Sequence, residues 1–236
     1  GGLYRLVKRY GTARHLKLYE LLKPEDVGET KRYVKAVRLP LEYVSFNQCT
    51  LGVRLTHHYR QATAYLKSRG VNDMMIKKYN IGFAYQGAYA GRIIIPSYNE
   101  EEDLNYFIAR SYYTKSKLKY KNPDVPKELI IFNEHLIDWE STIYIVEGAF
   151  DSIFVPNSIP LLGKVMSELL FKKLYENAKQ IVIVLDGDAW SNAEKLYHKL
   201  NGGKLFGKIW VVKMPLDKDI ADLRGNFEGL EKKQLE

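Results

Sequence analysis

The chain has 236 residues, of which 46% are hydrophobic, and it carries a formal net charge of +8. Its longest apolar runs have the length of a strand, well short of the ~20 residues that a membrane-spanning helix needs, so we expect no membrane partner. The single cysteine, Cys49, excludes an internal disulfide and a cysteine-based zinc site within this chain, and it fits a reducing, cytoplasmic location.

Positive charge is concentrated in the first part of the chain. Residues 1–140 contain 23 Lys and Arg against 15 Asp and Glu, whereas residues 141–236 contain 13 of each kind. A basic region joined to a neutral one suggests a polyanion that is bound along the first and processed at the second. Charge alone is equally compatible with ordinary solvated lysines.

Residues 1–40 predict one or two basic helices, interrupted at Pro24 and Gly28 and ended before Pro40. This segment holds ten Lys and Arg against four acidic residues. We interpret it as a nucleic-acid-binding arm or as a linker from an upstream region.

Residues 41–140 predict a mixed α+β unit. The apolar residues from Tyr59 to Leu66 recur at helical spacing, and Gly70 suits the C-terminal cap of that helix. A second short helix is predicted after Asn72, which is a suitable N-cap. Strands are predicted in "IGFAY", "GRIIIPSY" and "NYFIAR", and two prolines place "KYKNPDVP" in a loop.

Residues 141–225 alternate between strand and helix. Apolar strands are predicted at "TIYIV", "IPLLG", "QIVIVL" and "KIWVVKM", with amphipathic helices at "SELLFKKLYENA" and "SNAEKLYHKLN". Continuous apolar strands separated by helices indicate a parallel sheet that is covered on both faces. Ligands of such sheets bind beyond the carboxyl ends of the strands. The remaining residues, 226–236, form a short polar tail with no predicted structure.

Six acidic residues follow three of these strands. They are Glu147 and Asp151, then Asp186 and Asp188, then Asp219 and Asp222. Because parallel strands deliver their carboxyl ends to one edge of the sheet, we expect the three groups to converge there. Carboxylates that lie so close together raise one another's pKa, so we expect a divalent cation to neutralise them. A few hard oxygen ligands with room for water and phosphate suit magnesium.

Two glycines accompany these acids. Gly148 is predicted to let the backbone turn without a side chain in the way. Gly187 lies between Asp186 and Asp188, which point the same way if this segment is extended. We predict that Gly187 allows the close approach of a phosphate or a metal.

The acidic motifs resemble those of the Toprim domain, which is shared by bacterial-type primases, type IA and type II topoisomerases and some nucleases. The motifs are Glu147-Gly148-x-x-Asp151, Asp186-x-Asp188 and Lys218-Asp219-x-x-Asp222. The upstream segments "YLKSRGVNDMM", "GRIIIPSY", "KYKNP" and "IFNEHL" resemble the catalytic core of bacterial and phage DNA primases. The resemblance covers roughly residues 57–225, and "IPLLGKVMS" and "KDIADL" are more similar to the phage-type branch.

The resemblance implies an α/β fold, with a Rossmann-like Toprim parallel-sheet subdomain over residues 141–225. A mixed α+β basic subdomain over residues 41–140 would precede it and form the template and nucleotide groove. The implied activity is that of a DNA primase, a nucleotidyltransferase of DNA replication that makes short RNA primers on single-stranded DNA. Its implied cofactors are one to three Mg²⁺ or Mn²⁺ ions, and its substrates are nucleoside triphosphates. A replicative helicase outside this fragment is the implied partner, in the cytoplasm of a phage-infected bacterium.

The resemblance also assigns roles by position. The implied catalytic residues are Glu147, Asp186 and Asp188, which together with Asp219 would also be the metal ligands. The implied supporting residues are Gly148, Asp151, Gly187, Lys218 and Asp222. The implied nucleotide- and template-binding residues are Arg92, Arg110, Lys117, Lys119 and Lys121. A helix N-cap remains an alternative for Asp151, and a solvated loop remains one for the lysines.

Two departures from the family pattern matter. A lysine often precedes the first Toprim strand, where this chain has Phe132, Asn133 and Glu134, so another lysine would have to supply that groove contact. The cysteines of the family's N-terminal zinc ribbon are also absent, and we expect this sequence to begin just after such a ribbon.

Two other functions remain open at this point. A Toprim nuclease would use the same acids to cleave DNA, although the basic "GRIIIPSY" and "FIAR" strands favour a primase. A non-catalytic module that binds single-stranded DNA is the third possibility.

Overall fold

The computed structural model describes residues 36–163 and 165–235. Most of the basic helical segment predicted for residues 1–40 therefore lies outside the described residues, and residues 36–40 have no regular structure.

The first sheet has four antiparallel strands in the order β1-β2-β3-β4. They are β1 (Tyr43–Ser45), β2 (Gly82–Ala84), β3 (Arg92–Tyr98) and β4 (Leu104–Ser111). Strands β3 and β4 form a long hairpin in which Arg92 is opposite Ser111 and Ile93 is opposite Arg110. The strands predicted in "IGFAY", "GRIIIPSY" and "NYFIAR" are confirmed, whereas the three-residue β1 was not predicted.

Three helices accompany this sheet: α1 (Leu51–Arg54), α2 (His57–Ser68) and α3 (Asp73–Lys78). The predicted caps are confirmed, because Gly70 has a φ of +80° just beyond the end of α2 and Asn72 Oδ1 accepts from the Met75 N–H at 2.9 Å. Ala62 and Leu66 on α2 are buried, as their spacing predicts.

The second sheet has five strands in the order β6-β5-β7-β8-β9. They are β5 (Thr142–Val146), β6 (Ser158–Pro160), β7 (Gln180–Ile183), β8 (Ile209–Val212) and β9 (Lys232–Lys233). The first four are parallel, which confirms the predicted parallel sheet, while β9 pairs antiparallel with β8. The tail, for which the sequence predicted no particular structure, thus adds an edge strand.

The helices of this second part are α4 (Asp151–Phe154), α5 (Glu168–Asn177) and α6 (Trp190–Leu200). No helix within residues 36–163 and 165–235 has the length and apolarity to cross a membrane.

The connections that follow β5 and β7 lead in opposite directions along the sheet. From β5 the chain passes to β6 on one side, and β7 and β8 lie on the other. In parallel sheets the connections leave a crevice at such a point, outside the carboxyl ends of the two strands. Glu147 directly follows β5, and Asp186 comes three residues after β7, so both flank this crevice.

The two sheets share one buried core. Phe83, Ile93 and Ile108 of the first sheet pack in the same cluster as Val146 and Val182 of the second. The opposite face of the second sheet is covered by α5 and α6. Burial of these apolar side chains therefore fixes the position of the first sheet relative to the crevice. Such burial contributes about 25 cal/mol for each Å² of apolar surface removed from water.

A buried hydrogen bond also joins the two parts. The Tyr79 hydroxyl, just after α3, donates to the Ser152 carbonyl of α4 at 2.9 Å. Burial raises the pKa of Tyr79 to about 12, so the phenol stays protonated and remains a donor.

We expect Tyr79→Phe to lower the free energy of unfolding by about 1 kcal/mol, the usual net contribution of one buried hydrogen bond. Urea unfolding measures this change. Tyr175→Phe is the matched control, because the Tyr175 ring stacks on Phe171 and its hydroxyl has no hydrogen bond to a described residue. Equal stability of both variants would show that the Tyr79 bond contributes nothing.

Candidate active site

The turn after β5 is organised by Asp151. Its Oδ2 accepts from the Gly148 N–H at 2.8 Å, and a Cβ on residue 148 would lie 3.0 Å from that oxygen. Gly148 thus leaves room for the Asp151 carboxylate, which closes the turn that presents Glu147. Burial raises the pKa of Asp151 to about 6, although the hydrogen bond from Gly148 lowers it. The negative charges of Asp219 and Glu147 raise it further.

Asp186 lies at the centre of the acidic residues. Burial raises its pKa to about 7, and the charges of Asp151, Glu147, Asp219 and Asp188 add to the rise. Its Oδ1 is buried and has no hydrogen-bond partner among the described residues. A buried carboxylate oxygen without a donor is costly, so this atom requires either a proton or a cation.

The structure corrects the role predicted for Gly187. A Cβ at this position would lie 1.8 Å from the Pro215 carbonyl oxygen, and the Gly187 N–H donates to the Lys218 carbonyl at 3.3 Å. The backbone of the loop after β8 therefore fills the space that a side chain of residue 187 would occupy. The glycine thereby brings the third acidic group toward Asp186. Asp188 follows in an exposed position.

The third acidic group forms a closed turn. Asp222 N–H donates to Asp219 Oδ1 at 2.7 Å, and Asp219 N–H donates to Asp222 Oδ2 at 3.2 Å. Asp222 is exposed and Asp219 is half-buried, so Asp219 is the member directed toward the other acids. Lys218 contributes through its backbone, since its carbonyl accepts from Gly187, while the residue itself is exposed.

The predicted acids are therefore close enough to perturb one another, but they are not a finished ligand shell. Within residues 36–163 and 165–235, no three His, Cys, Asp or Glu side chains are already grouped at metal-ligand spacing. The unsatisfied Oδ1 of Asp186 and the mutual repulsion of the carboxylates fit the binding of a divalent cation. Glu147, Asp186, Asp188 and Asp219 are the residues that would hold it.

Arg110 forms the basic wall next to these acids. Its guanidinium donates to the Tyr120 hydroxyl at 2.6 Å and lies 5.2 Å from the Tyr120 ring and 5.0 Å from the Phe150 ring. Burial raises the pKa of the Tyr120 phenol, Arg110 lowers it and Asp151 raises it, so both charges are near this ring. Arg110 is thus held between a loop of the first sheet and the turn after β5.

Arg69 is a site residue that the sequence analysis missed. Its Nη2 lies 3.7 Å from Asp219 Oδ2, and its charge opposes the rise in the pKa of Asp151. Its Nε is buried without a hydrogen-bond partner among the described residues. In the sequence Arg69 is one of many basic residues, and only its place directly before the capping Gly70 distinguishes it.

The structure also corrects the placement of Arg92. This residue is buried, and its guanidinium donates to the carbonyls of Leu118 at 2.9 Å and of Lys119 and Ala109 at 3.3 Å. It lies on the face of the first sheet that carries Ile94, opposite the face that packs toward the acids. Arg92 holds the loop after β4 instead of lining the groove.

Within residues 36–163 and 165–235, none of the three predicted lysines forms an ion pair with the acids. Lys121 donates to the Ala88 carbonyl at 2.7 Å and lies 5.1 Å from the Tyr89 ring, on the Arg92 side of the sheet. Lys117 and Lys119 are exposed in the loop after β4.

Comparisons with other proteins agree with this architecture. No family model matches the chain. A DNA primase of Lactococcus lactis subsp. lactis is 25% identical over 221 aligned residues, which cover 72% of this chain and 34% of the relative. The solved DnaG primase catalytic domain bound to single-stranded DNA has a TM-score of 0.63 at 17% identity, covering 75% of this chain and 70% of that one.

The described chain has the fold of a bacterial primase catalytic core. The Aquifex aeolicus primase, solved with its zinc-binding and RNA polymerase domains, gives the same result, with a TM-score of 0.63, 18% identity and coverage of 97% of this chain and 66% of that one. The expected α/β fold is thereby confirmed as that of primase cores, whereas the Toprim assignment stays a prediction. This chain spans about a third of the length of its Lactococcus relative. The likeness to the phage-type branch stays a prediction.

We expect Gly187→Ala to destabilise this primase-core fold by about 3 kcal/mol, because the new methyl group would force the loop after β8 away from Asp186. Urea unfolding measures the loss. Gly163→Ala is the control, since a Cβ there meets no described atom within 4 Å. A Gly187 variant as stable as the Gly163 variant would contradict the close approach.

Asp186→Asn is expected to stabilise the metal-free protein, because it removes a buried charge that four other carboxylates repel. The pKa of Asp186 is raised in the folded state, so ionisation between about pH 4 and 7 weakens folding, and Asn avoids this cost. After allowance for solvent screening, we expect the melting temperature at pH 8 to rise by roughly 2–4 °C.

The control for that measurement is Glu140→Gln, an exposed acid before β5 at the opposite edge of the sheet. Its melting temperature should match that of the unmodified chain. A lower melting temperature for Asp186→Asn would mean that the carboxylates do not repel one another in the folded protein.

Proposed function

We propose that this chain is the catalytic core of a DNA primase, which synthesises short RNA primers on single-stranded DNA by divalent-metal-dependent nucleotidyl transfer. The single observation that carries the proposal is the environment of Asp186. Its buried, unsatisfied oxygen lies among carboxylates at the crevice of a parallel sheet, in a fold shared with primase cores.

The chemistry is phosphoryl transfer between nucleotides. A 3′-hydroxyl attacks the α-phosphorus of a nucleoside triphosphate, a P–O bond forms, and pyrophosphate leaves while the hydroxyl proton is released. Magnesium, when bound, would supply positive charge to the phosphate oxygens and make that hydroxyl more acidic. Most of the rate acceleration then comes from positioning and charge neutralisation.

The carboxylates have two roles, since some would bind the metal ions and another supports the backbone of the turn. Glu147, Asp186 and Asp188 would hold one to three ions, with Asp219 as a further ligand. Asp151 acts through the backbone, because its carboxylate fixes the Gly148 N–H and thereby the direction of Glu147. We propose that Glu147 either binds a metal ion or accepts a proton during the transfer.

The basic residues would hold the polyanion opposite the acids. Arg110 is fixed between Tyr120 and Phe150, so little side-chain entropy is lost when it binds a phosphate. Arg69 already faces Asp219 and would share its charge between that carboxylate and a phosphate. The solved primase catalytic domain bound to single-stranded DNA, which shares this fold, supports single-stranded DNA as the template. Contacts to phosphates predict binding that tolerates any sequence and weakens with salt.

The test is incubation of the protein with single-stranded DNA, the four ribonucleoside triphosphates and magnesium. We expect labelled oligoribonucleotides from the unmodified chain and from Glu140→Ala. Asp186→Ala and Asp188→Ala should lower synthesis at least ~10³-fold, because both remove metal ligands. Their affinity for single-stranded DNA, measured by fluorescence anisotropy, should change less than about twofold, since phosphate contacts dominate it.

Other results would direct the interpretation elsewhere. Shortened DNA without oligoribonucleotides would indicate the Toprim nuclease. An unmodified chain whose melting temperature does not rise with millimolar magnesium would favour the non-catalytic DNA-binding module, because a ligand that binds the folded state stabilises it. Full synthesis by Asp186→Ala would reject the proposed site.

A further inference from the structure

A cavity of about 250 Å³ lies beside the turn that carries Glu147. Its walls include Ile108 of β4, Tyr120 of the loop after β4, Phe150 of the turn after β5 and Leu162 of the loop after β6. Apolar and aromatic walls with a few polar groups are typical of small-molecule sites.

The size of the cavity and the acidic group beside it limit which ligand the cavity could bind. Its volume is below the ~300–1,000 Å³ of pockets that enclose a drug-sized ligand, so a whole nucleoside triphosphate would not fit inside. A planar base with its ribose suits the aromatic walls, and the phosphates would then project outward. Because Glu147 lines the cavity and belongs to the acidic group around Asp186, phosphates that leave on that side reach the proposed metal site.

Among the described residues that line the cavity, Lys127 is the one with a positively charged side chain. It begins the short 3₁₀ turn Lys127–Leu129 after Pro126. Its Nζ donates to the Leu162 carbonyl at 3.1 Å, which fixes the ammonium at the cavity. An ammonium has three N–H donors, and this bond uses one of them. Across residues 36–163 and 165–235, no carboxylate oxygen lies within 4.0 Å of it.

We propose that Lys127 is a nucleotide-binding residue, whose ammonium contacts the phosphate oxygens of a nucleoside triphosphate with its base and ribose in this cavity. The inference rests on the proposed function and adds a residue that the motifs did not indicate. Lys127 is exposed at the cavity, and a lysine ammonium binds phosphate as a point charge. Lys127 takes no part in bond making or breaking.

The test compares Lys127→Ala and Lys127→Arg with the unmodified chain in primer synthesis. Removing a charge-assisted hydrogen bond should raise KM for the triphosphates roughly ten- to a hundredfold in Lys127→Ala. The kcat should fall less than about threefold, since the contact exists in both ground and transition states. Lys127→Arg keeps the charge and should keep KM within about threefold of the unmodified chain.

The matched control is Lys179→Ala. Lys179 pairs with Glu140 at 3.5 Å, at the amino ends of β5 and β7, which is the sheet edge away from the acids. Its KM and kcat should be unchanged. An unchanged KM in Lys127→Ala would overturn the proposal. An equal rise in KM in the Ala and Arg variants would also overturn it, because the charge would then be irrelevant.

A second readout needs no turnover and separates this inference from the proposed function. ATP with magnesium should raise the melting temperature of the unmodified chain and of Lys179→Ala, and this rise should be lost in Lys127→Ala. If the unmodified chain makes no oligoribonucleotides but shows this Lys127-dependent ATP effect, the primase proposal fails and the nucleotide site stands. If ATP raises the melting temperature of Lys127→Ala as much as that of the unmodified chain, the nucleotide site fails and the primase proposal stands.

Discussion

The apolar contact between the two sheets is the constraint on which the rest of this structure depends. Ile93, Ile95 and Ile108 of the first sheet share a buried cluster with Val146 and Val182 of the second. This burial places the loop after β4 next to the turn after β5, and it thereby places Arg110 and Tyr120 beside Phe150. The candidate site lies where the two sheets meet, with the acids after strands of the second sheet and Arg110 on a strand of the first.

The acidic group opposes this packing. Asp186 is half-buried among four carboxylates, and its pKa is raised to about 7 as a result. Such an arrangement lowers stability wherever these groups are ionised, and the shared core must offset it. The loop after β8 is part of the same compromise, because Gly187 has no room for a side chain and so brings Asp219 close. The strain of the site is thus electrostatic, and the proposed divalent cation would relieve it.

The two arginines of the β3–β4 hairpin have different roles because they lie on opposite faces of the sheet. Arg92 and Arg110 both flank the β3–β4 hairpin, and the sequence suggests that they act together. The register pairs Arg92 with Ser111 and Arg110 with Ile93, so the two arginines point to opposite faces. Arg110 meets the turn after β5, while Arg92 binds three backbone carbonyls. Arg69, at the end of a helix, lies near Asp219 instead, and Lys127, in a loop, lines the cavity beside Glu147.

Local sequence patterns are enough to predict the alternating strands and helices of residues 141–225, the two capped helices α2 and α3, and the acids after β5, β7 and β8. These features follow from short-range rules, namely apolar periodicity, cap preferences and the shared edge of parallel strands. The folded chain was needed to see that Gly187 contacts Pro215 and that Arg92 is buried. It was also needed to see that Arg69 lies near Asp219 and that Lys127 lines the cavity beside Glu147. Each of these depends on strand register or on contact between segments distant in the chain, and neither is encoded in local periodicity.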